Sequence, residues 1–342
     1  MPSKEETDAM FAALVSNGIE FIESSIAELG ARPSFSVAHF ATGVELLLKA
    51  RLFGEHWTLV AHDPHSCAWT GIKDGLVTTV AASSLCAAVT SVTGTSLRVE
   101  QDVFSKVFAH RNRVLHFVPA DDIATTAAEQ CRAWYLLHNL LRRRWSSVFV
   151  SFADKLDEID NRLLAHRPYL QARYDATELQ RRGLDHAGRL FECPACRYRA
   201  AVLTPAAEPV SDFECLVCKT RGHVALVSCG RHLSLDEIPA ECECGAEHDR
   251  DELLERLDPT PVLGPKESLT YYPDRSYCGE CLDPEVSIVR QRSVYVCVAC
   301  GQTFKPDDQS ECQNCAETWF GYDTESSAYT GCEWCNGPEH RD

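Results

Sequence analysis

No stretch of this 342-residue chain approaches the 18 consecutive apolar residues that a membrane-spanning helix needs. A helical membrane protein is therefore excluded. The opening segment MPSKEETDAM has no apolar core of the kind a secretory signal carries, and a cytoplasmic location is expected. Basic residues are scarce: 33 Lys and Arg stand against 50 Asp and Glu, for a net charge of −17. No broad basic stripe is available to follow a nucleic-acid backbone. Hydrophobic residues, by contrast, are not scarce. At 45% of the chain they exclude dominant disorder, and the length suits two or three domains.

The first half also has little cysteine. Only Cys67, Cys86 and Cys131 fall within residues 1–186, whereas 15 of the 18 cysteines run from Cys193 onward. These three show no partner spacing and read as small core residues. Charge divides at the same place. Residues 1–186 hold 19 Lys+Arg and 22 Asp+Glu, a net −3, while residues 187–342 hold 14 and 28, a net −14. The boundary is expected between Gly183 and Gly188. Without an export signal the clustered thiols meet a reducing compartment, where they bind metal rather than pair as disulfides.

Residues 1–186 carry no sustained β alternation and read as an all-α bundle. Met10, Leu14, Ile22, Ile26 and Leu29 mark one face of a helix over 6–29, stopped at Gly30 and Pro33. Further helices are expected over 36–53, 79–92, 99–117, 122–145, 148–166 and 169–182. Asp121 and Asp122 are candidate caps for the fifth of the seven, and Arg142–Arg144 suit its C-terminal dipole. HDPHSCAWTGIKDG, with His62, Asp63 and His65, reads as a loop with capping residues rather than a metal site.

One segment in this half can carry chemistry: His110-Arg111-Asn112-Arg113-Val114-Leu115-His116. An imidazole can take a proton near neutral pH, and a guanidinium can hold a phosphate and stabilise charge developing on it. Together they suit attack of an RNA 2′-hydroxyl on its own phosphate. Five residues of α-helix separate Arg111 and His116 by about 140° around the axis, so convergence needs a helix end or a second subunit. A solvated basic helix face is the plainer reading.

The segment SVAHFATGVELLLKARLF, followed after a long loop by RNRVLH, resembles the HEPN domain family. The likeness covers residues 6–146, extending toward 182, and rests on an Arg-x4–6-His motif placed after an ELLLKA-type helix. It implies an all-α bundle over residues 1–186, with Arg111, Asn112 and His116 as catalytic residues of a metal-independent endoribonuclease leaving 2′,3′-cyclic phosphates. It also implies a homodimer that joins two motifs, with Glu45 and Lys49 on the helix approaching them. The biological role it suggests is a toxin-like part in bacterial anti-phage or stress defence. One departure is that HEPN toxins paired with nucleotidyltransferase antitoxins carry Tyr two residues after the His, where this chain has Val118.

The second half reads as small β-rich zinc ribbons, two metal sites in residues 187–257 and two further ribbons in 268–342. Cys193-x2-Cys196 and Cys215-x2-Cys218 lie 18 residues apart, Cys278-x2-Cys281 and Cys297-x2-Cys300 lie 15 apart, and Cys312-x2-Cys315 and Cys332-x2-Cys335 lie 16 apart. Each pair of knuckles supplies four thiolates to a tetrahedral Zn²⁺, with a β-hairpin between them. Iron–sulfur ligation is the alternative, although the spacings do not follow ferredoxin runs. Spacing leaves the pairing within 278–335 open between sequential ribbons and a cross-brace. The shorter loops favour sequential closure.

Cys229, Cys242 and Cys244 remain, and His232 completes a Cys₃His set, with His223 and His248 as rivals for the fourth position. About four structural zinc ions are expected from these donor sets. The metallated half is strongly acidic, so a protein partner is expected at the ribbons rather than RNA. Segment 258–268 reads as a linker and 204–212 as a hairpin tip. The competing function is an inactive HEPN platform whose ribbons dock a protein.

Overall fold

The computed structural model describes residues 2–120, 122–204, 210–234, 240–241, 245, 247–248, 276–282, 288–291, 294–333 and 335. Two compact units divide the chain, Met1–Ala176 and Thr177–Asp342. The first is helical and the second is β-rich with clustered cysteines. No helix among the described residues is long and apolar enough to cross a membrane.

The helical unit is built on a hairpin of α1 (Lys4–Glu28) and α2 (Pro33–Glu55). Ser3 and Glu6 form a reciprocal capping box at the start of α1. Pro33 is a start signal, not a stop: it occupies the first turn of α2, where its missing N–H costs nothing. The two helices run antiparallel at close range because Gly18 and Gly43 lie between them. Along α2, Ser36, Val37, Phe40, Ala41, Val44, Leu47, Leu48 and Leu52 are all buried, so α2 is the central helix. Around it pack α4 (Leu85–Thr93), α5 (Arg98–His116) and α6 (Ile123–Asn139). The core is filled by Phe40, Phe104, Trp134, Phe149 and Tyr169. A buried polar trio ties α1, α2 and α6: Ser36 Oγ donates to Ser25 O at 2.7 Å, and Gln130 Nε2 donates to Ser36 Oγ at 3.0 Å.

Several expected boundaries move. Residues 78–81 are extended rather than helical, since His62 N donates to Thr78 O and Val80 N donates to Val60 O, so α4 starts only at Leu85. The expected loop contains a short helix, α3 (Trp69–Lys73). Asp122 caps α6 by accepting from Thr125 N at 3.1 Å, while Asp121 lies outside the described residues. The α6 pattern breaks into a π-turn over Leu140–Arg144. The unit closes with α7 (Ala153–Leu163) and α8 (Arg167–Ala176).

The next helix, α9 (Glu178–His186), belongs to the second unit, which shifts the division upstream of the Gly183–Gly188 boundary read from sequence. Asp185 accepts from Arg199 at 2.7 Å, which ties α9 to the first β-sheet. That sheet is an antiparallel meander of β1 (Leu190–Glu192), β2 (Arg199–Thr204), β3 (Val210–Cys215), β4 (Arg221–Leu226) and β5 (His232–Ser234). A two-stranded ladder of β6 (Ala240–Glu241) and β7 (Glu247–His248) follows.

Beyond these lie β8 (Ser276–Cys278), β9 (Ile288–Gln291), β10 (Val294–Cys297), β11 (Thr303–Phe304), β12 (Gln309–Glu311), β13 (Thr318–Phe320) and a short helix, α10 (Ser327–Thr330). They form two three-stranded sheets, ordered β11-β10-β9 and β12-β13-β8. The second sheet joins β8 and β13 in parallel, so the last two cysteine sets are not two separate ribbons.

The α1–α2 contact generates a test. A Cβ on Gly43 would lie 2.7 Å from Ile22 Cγ1 and 2.9 Å from the Gly18 carbonyl oxygen, and the backbone atom cannot rotate away. Alanine gains about 1 kcal/mol in helix propensity over glycine, but overpacking of this kind costs about 1–3 kcal/mol. Gly43→Ala therefore lowers the unfolding free energy measured in urea. A rise would show that the helices do not meet this closely in solution.

Candidate functional site

Three sets of four cysteines have their sulfur atoms within 4.8 Å of one another: Cys193, Cys196, Cys215 and Cys218; Cys278, Cys281, Cys297 and Cys300; Cys312, Cys315, Cys332 and Cys335. The sets are sequential, so the cross-brace is excluded. In the first set the Sγ atoms of Cys193 and Cys218 are 3.6 Å apart and those of Cys196 and Cys215 are 3.7 Å apart. The second set gives 3.8 Å for both Cys278–Cys300 and Cys281–Cys297. The third gives 3.7 Å for Cys312–Cys335 and 3.6 Å for Cys315–Cys332. A disulfide would hold sulfurs at about 2.05 Å. Four thiolates at about 2.3 Å from a central ion, arranged tetrahedrally, have sulfur–sulfur edges of about 3.8 Å. The donor sets fit a tetrahedral metal.

The backbone explains why C-x2-C forms these corners. In five knuckles the residue after the second cysteine is left-handed: Arg197 (φ 62°), Lys219 (φ 64°), Leu282 (φ 52°), Gly301 (φ 77°) and Ala316 (φ 57°). Its N–H donates to the carbonyl of the first cysteine, from Arg197 to Cys193 at 2.9 Å and from Gly301 to Cys297 at 2.7 Å, with the other three alike. A non-glycine residue costs about 1–2 kcal/mol in this conformation. Four of the five knuckles bear that cost, which the sulfur cluster must offset. Reverse bonds complete the turn, Cys193 N to Tyr198 O and Cys215 N to Thr220 O, both at 2.9 Å.

The sulfurs also receive polar support. Cys215 Sγ accepts from Val217 N at 3.4 Å, and Asn314 Nδ2 donates to Cys335 Sγ at 3.2 Å. Hydrogen bonds from Cys196 and Cys215 pull the Cys193 thiol down to about 7. The same kind of bond from Cys193, Cys196 and Cys215 lowers Cys218 strongly, while Cys196 and Cys215 move up. Four thiols this close cannot hold their ordinary protons independently. A divalent ion resolves the crowding by replacing them.

The expected return hairpin is present in the first two sets, through β2–β3 and β9–β10 with their neighbours. In the third the chain returns through β13 and α10 instead. Of the fourth expected set, Cys242 and Cys244 lie outside the described residues. Cys229 is exposed on the turn between β4 and β5, and the His232 ring packs 5.4 Å from Phe191. His223, one rival ligand, has its Nδ1 2.7 Å from Asp212 Oδ1 across the β3–β4 pair, and His248, the other, is buried on β7.

The helical candidate is built differently. Arg111 lies on the face of α5 directed at α2, where its Nη1 donates to Glu45 Oε2 at 2.8 Å. Its Nε and Nη2 donate to Asn112 Oδ1 at 3.3 and 3.2 Å. Lys49 Nζ donates to the other Glu45 oxygen at 2.6 Å and to Thr79 Oγ1 at 2.9 Å. Burial alone would raise the Glu45 carboxyl, but hydrogen bonds from Lys49 and Arg111 outweigh it and hold the group below its usual range. His116 is the last residue of α5 and is exposed, its ring 6.2 Å from that of Phe117. One chain thus brings Arg111, Asn112, Glu45 and Lys49 together and leaves His116 on a different side of the helix.

Other basic and histidine-bearing segments are structural. Arg142 makes a bidentate pair with Asp157 at 2.8 Å, and Arg144 bonds Glu100 and Ser96 O, both at 2.9 Å. Asp63 accepts from His65 N and Ser66 Oγ as a loop cap. Burial pushes the thiols of Cys86 and Cys131 up to about 12, as core residues. Sequence reasoning missed a network in which His138 lies 3.1 Å from Asp157 and 3.5 Å from Asp160. The fully buried Asp160 also accepts from Tyr169 and pairs with Arg173. Its residues sit on three consecutive helices, α6, α7 and α8, at separations of 9 to 19 residues that match no single-helix period.

Comparison of the chain with protein-family models, curated proteins and solved structures found no match.

Two tests follow from these geometries. Chelation by EDTA should abolish the near-ultraviolet signal of Trp319 and the β contribution while helical circular dichroism persists, because among the described residues the thiolate sets all lie in the second unit. Loss of helix in the same transition would contradict this. For Glu45, the folded-state carboxyl is depressed, so its contribution is complete above the ordinary value of 4.5 and is lost as pH falls below it. Glu45→Gln should cost about 1–2 kcal/mol at pH 7 and flatten the acid limb of the stability curve. An unchanged acid limb would remove the ion-pair assignment.

Proposed function

We propose that this chain is a metal-independent endoribonuclease of HEPN type, working as a homodimer, with zinc ions in its thiolate sets and a protein partner at its acidic second unit. The observation that carries the reading is the pairing of two features at the α5 end. Arg111 and Asn112 form a polar cluster with Glu45 and Lys49 on α2. His116 stands in exposed apolar surface made by Leu115, Phe117, Val118 and Ile123, with Phe117 83% exposed. A patch of this kind at the motif suits a second copy, which could bring a second Arg111 toward His116.

In such a dimer His116 takes the proton of the RNA 2′-hydroxyl, whose oxygen attacks the adjacent phosphorus. Arg111 stabilises the negative charge that develops on the phosphoryl oxygens, and Asn112 keeps the guanidinium oriented. The 5′-oxygen leaves and a 2′,3′-cyclic phosphate remains. DNA, without the attacking hydroxyl, is spared. Zinc is the ion favoured by four soft thiolates in a closed tetrahedron, and its part is structural. A defence or stress role in a bacterial cytoplasm belongs to the same reading and rests on the HEPN resemblance.

A second reading has its own support. All three Arg111 nitrogens are already bonded to Glu45 or Asn112, and about 140° of helix separates Arg111 from His116. A HEPN-like platform without nuclease activity, carrying ribbons that dock a protein, would look the same. Incubation of the purified protein with total RNA decides between them. His116→Ala and Arg111→Ala should each lower cleavage by about 10²-fold or more, with cyclic-phosphate ends on the wild-type products. Equal cleavage by wild type and His116→Ala would overturn the nuclease reading.

A further inference from the structure

We propose that the second and third thiolate sets form a single two-metal unit that loads and empties together, while the first set behaves independently. The inference rests on the metal reading of the three sets and concerns how two of them are joined.

The joint is the parallel pair β8–β13. β8 ends in Cys278, a donor of the second set, whereas β13 lies between Cys315 and Cys332 of the third. In the register Tyr277 is opposite Trp319 and Cys278 is opposite Phe320. Side chains alternate faces along a strand, so the two strands present one face to each set. Tyr277 and Trp319, with ring centroids 5.2 Å apart, pack among Cys312 and Cys332. Phe320 packs on the opposite face, among Cys278, Ile288, Cys297 and Phe304, and its ring lies 4.7 Å from that of Tyr295. Each set therefore has its core completed by an aromatic residue from the segment carrying the other.

The backbones interlock as well. Gly279 N donates to Phe320 O at 2.8 Å, and a Cβ on Gly279 would meet the Gly321 carbonyl oxygen at 2.6 Å. β8 and β13 have three residues each. Strands so short have no independent stability, and cores of this size depend on metal. Releasing the ion of the third set frees Cys312 and Cys332, removes the seat of Trp319, and loosens the strand that positions Cys278. The converse path runs through Phe320. Coupling of this kind must be reciprocal. The first set sits in its own five-stranded meander, with Phe191 and Phe213 in edge contact at 5.4 Å, and among the described residues it shares no strand with the others. The His223 side chain of β4 lies against Gly301 beside Cys300, a side-chain contact that exchanges neither a strand nor a ligand between the sets. Cys281 is exposed while Cys278 and Cys297 are buried, so the second set is where a competing chelator gains entry.

The test is metal content of the full chain by elemental analysis, together with release to a chromogenic chelator. Relative to wild type, Cys281→Ser and Cys312→Ser should each lose two ions per chain, whereas Cys218→Ser should lose one. Gly279→Ala keeps every sulfur ligand. It should release two equivalents at least 10-fold faster and leave the remainder at the wild-type rate. Loss of one ion from each of Cys281→Ser and Cys312→Ser would overturn the coupling. Loss of all metal from either would overturn the independence of the first set. A wild-type protein purified without metal would instead refute the metal reading itself, so the two failures are distinguishable.

Discussion

The close packing of four sulfur atoms is the constraint on which the second unit depends. Its strands have two to six residues, its aromatic clusters are small, and four of its knuckles hold a non-glycine residue in a left-handed conformation. None of these would persist on hydrophobic burial alone. The sulfur tetrahedra make each C-x2-C turn worth its strain, and the turns in turn set the register of strands on either side. In the first set β1 and β3 each run into a knuckle and β2 and β4 each leave one. Sheet order is thereby a consequence of ligand order.

The helical unit rests on a different kind of closeness. Gly18 and Gly43 bring α1 and α2 near enough that the central helix can be buried on nearly all sides. With α2 so placed, Glu45 and Lys49 are held beside α5, and Arg111 finds a half-buried carboxylate instead of solvent. That ion-pair cluster has a specific electrostatic character: two cations share one carboxylate. The same helix then ends at His116, in surface that one chain leaves uncovered.

The unequal charge of the two halves, −3 against −14, has a structural counterpart. Arginines of the helical unit are largely consumed internally, as Arg142 is by Asp157 and Arg144 by Glu100. Among the described residues of the second unit, Glu192, Asp212, Glu214, Glu280, Asp307 and Asp308 are exposed, and each four-thiolate set with a divalent ion would add about −2. Long-range steering of a nucleic acid to that unit is therefore unfavourable, whereas a basic protein surface would be attracted to it.

Much of this was legible from sequence because the signals were local. A C-x2-C spacing dictates its own turn, so all three four-cysteine sets could be assigned and their order anticipated from loop length. Helical periodicity placed α1, α2 and α5 within a few residues, since each has a long buried stripe. Local pattern failed where a distant contact decided the backbone, as at residues 78–81, which pair with the strand-like turn at Ala61 instead of extending α4. It failed again at α9, whose composition matches the helical half but whose Asp185 is held by Arg199. The parallel β8–β13 pair was beyond reach for the same reason: 39 residues separate Cys278 from Thr318, and only the assembled core decides that Phe320 packs in the second set rather than its own. Sequence by itself determined which cysteines can hold a metal. Tertiary structure alone decided which of them share a core, because that depends on contacts no spacing encodes.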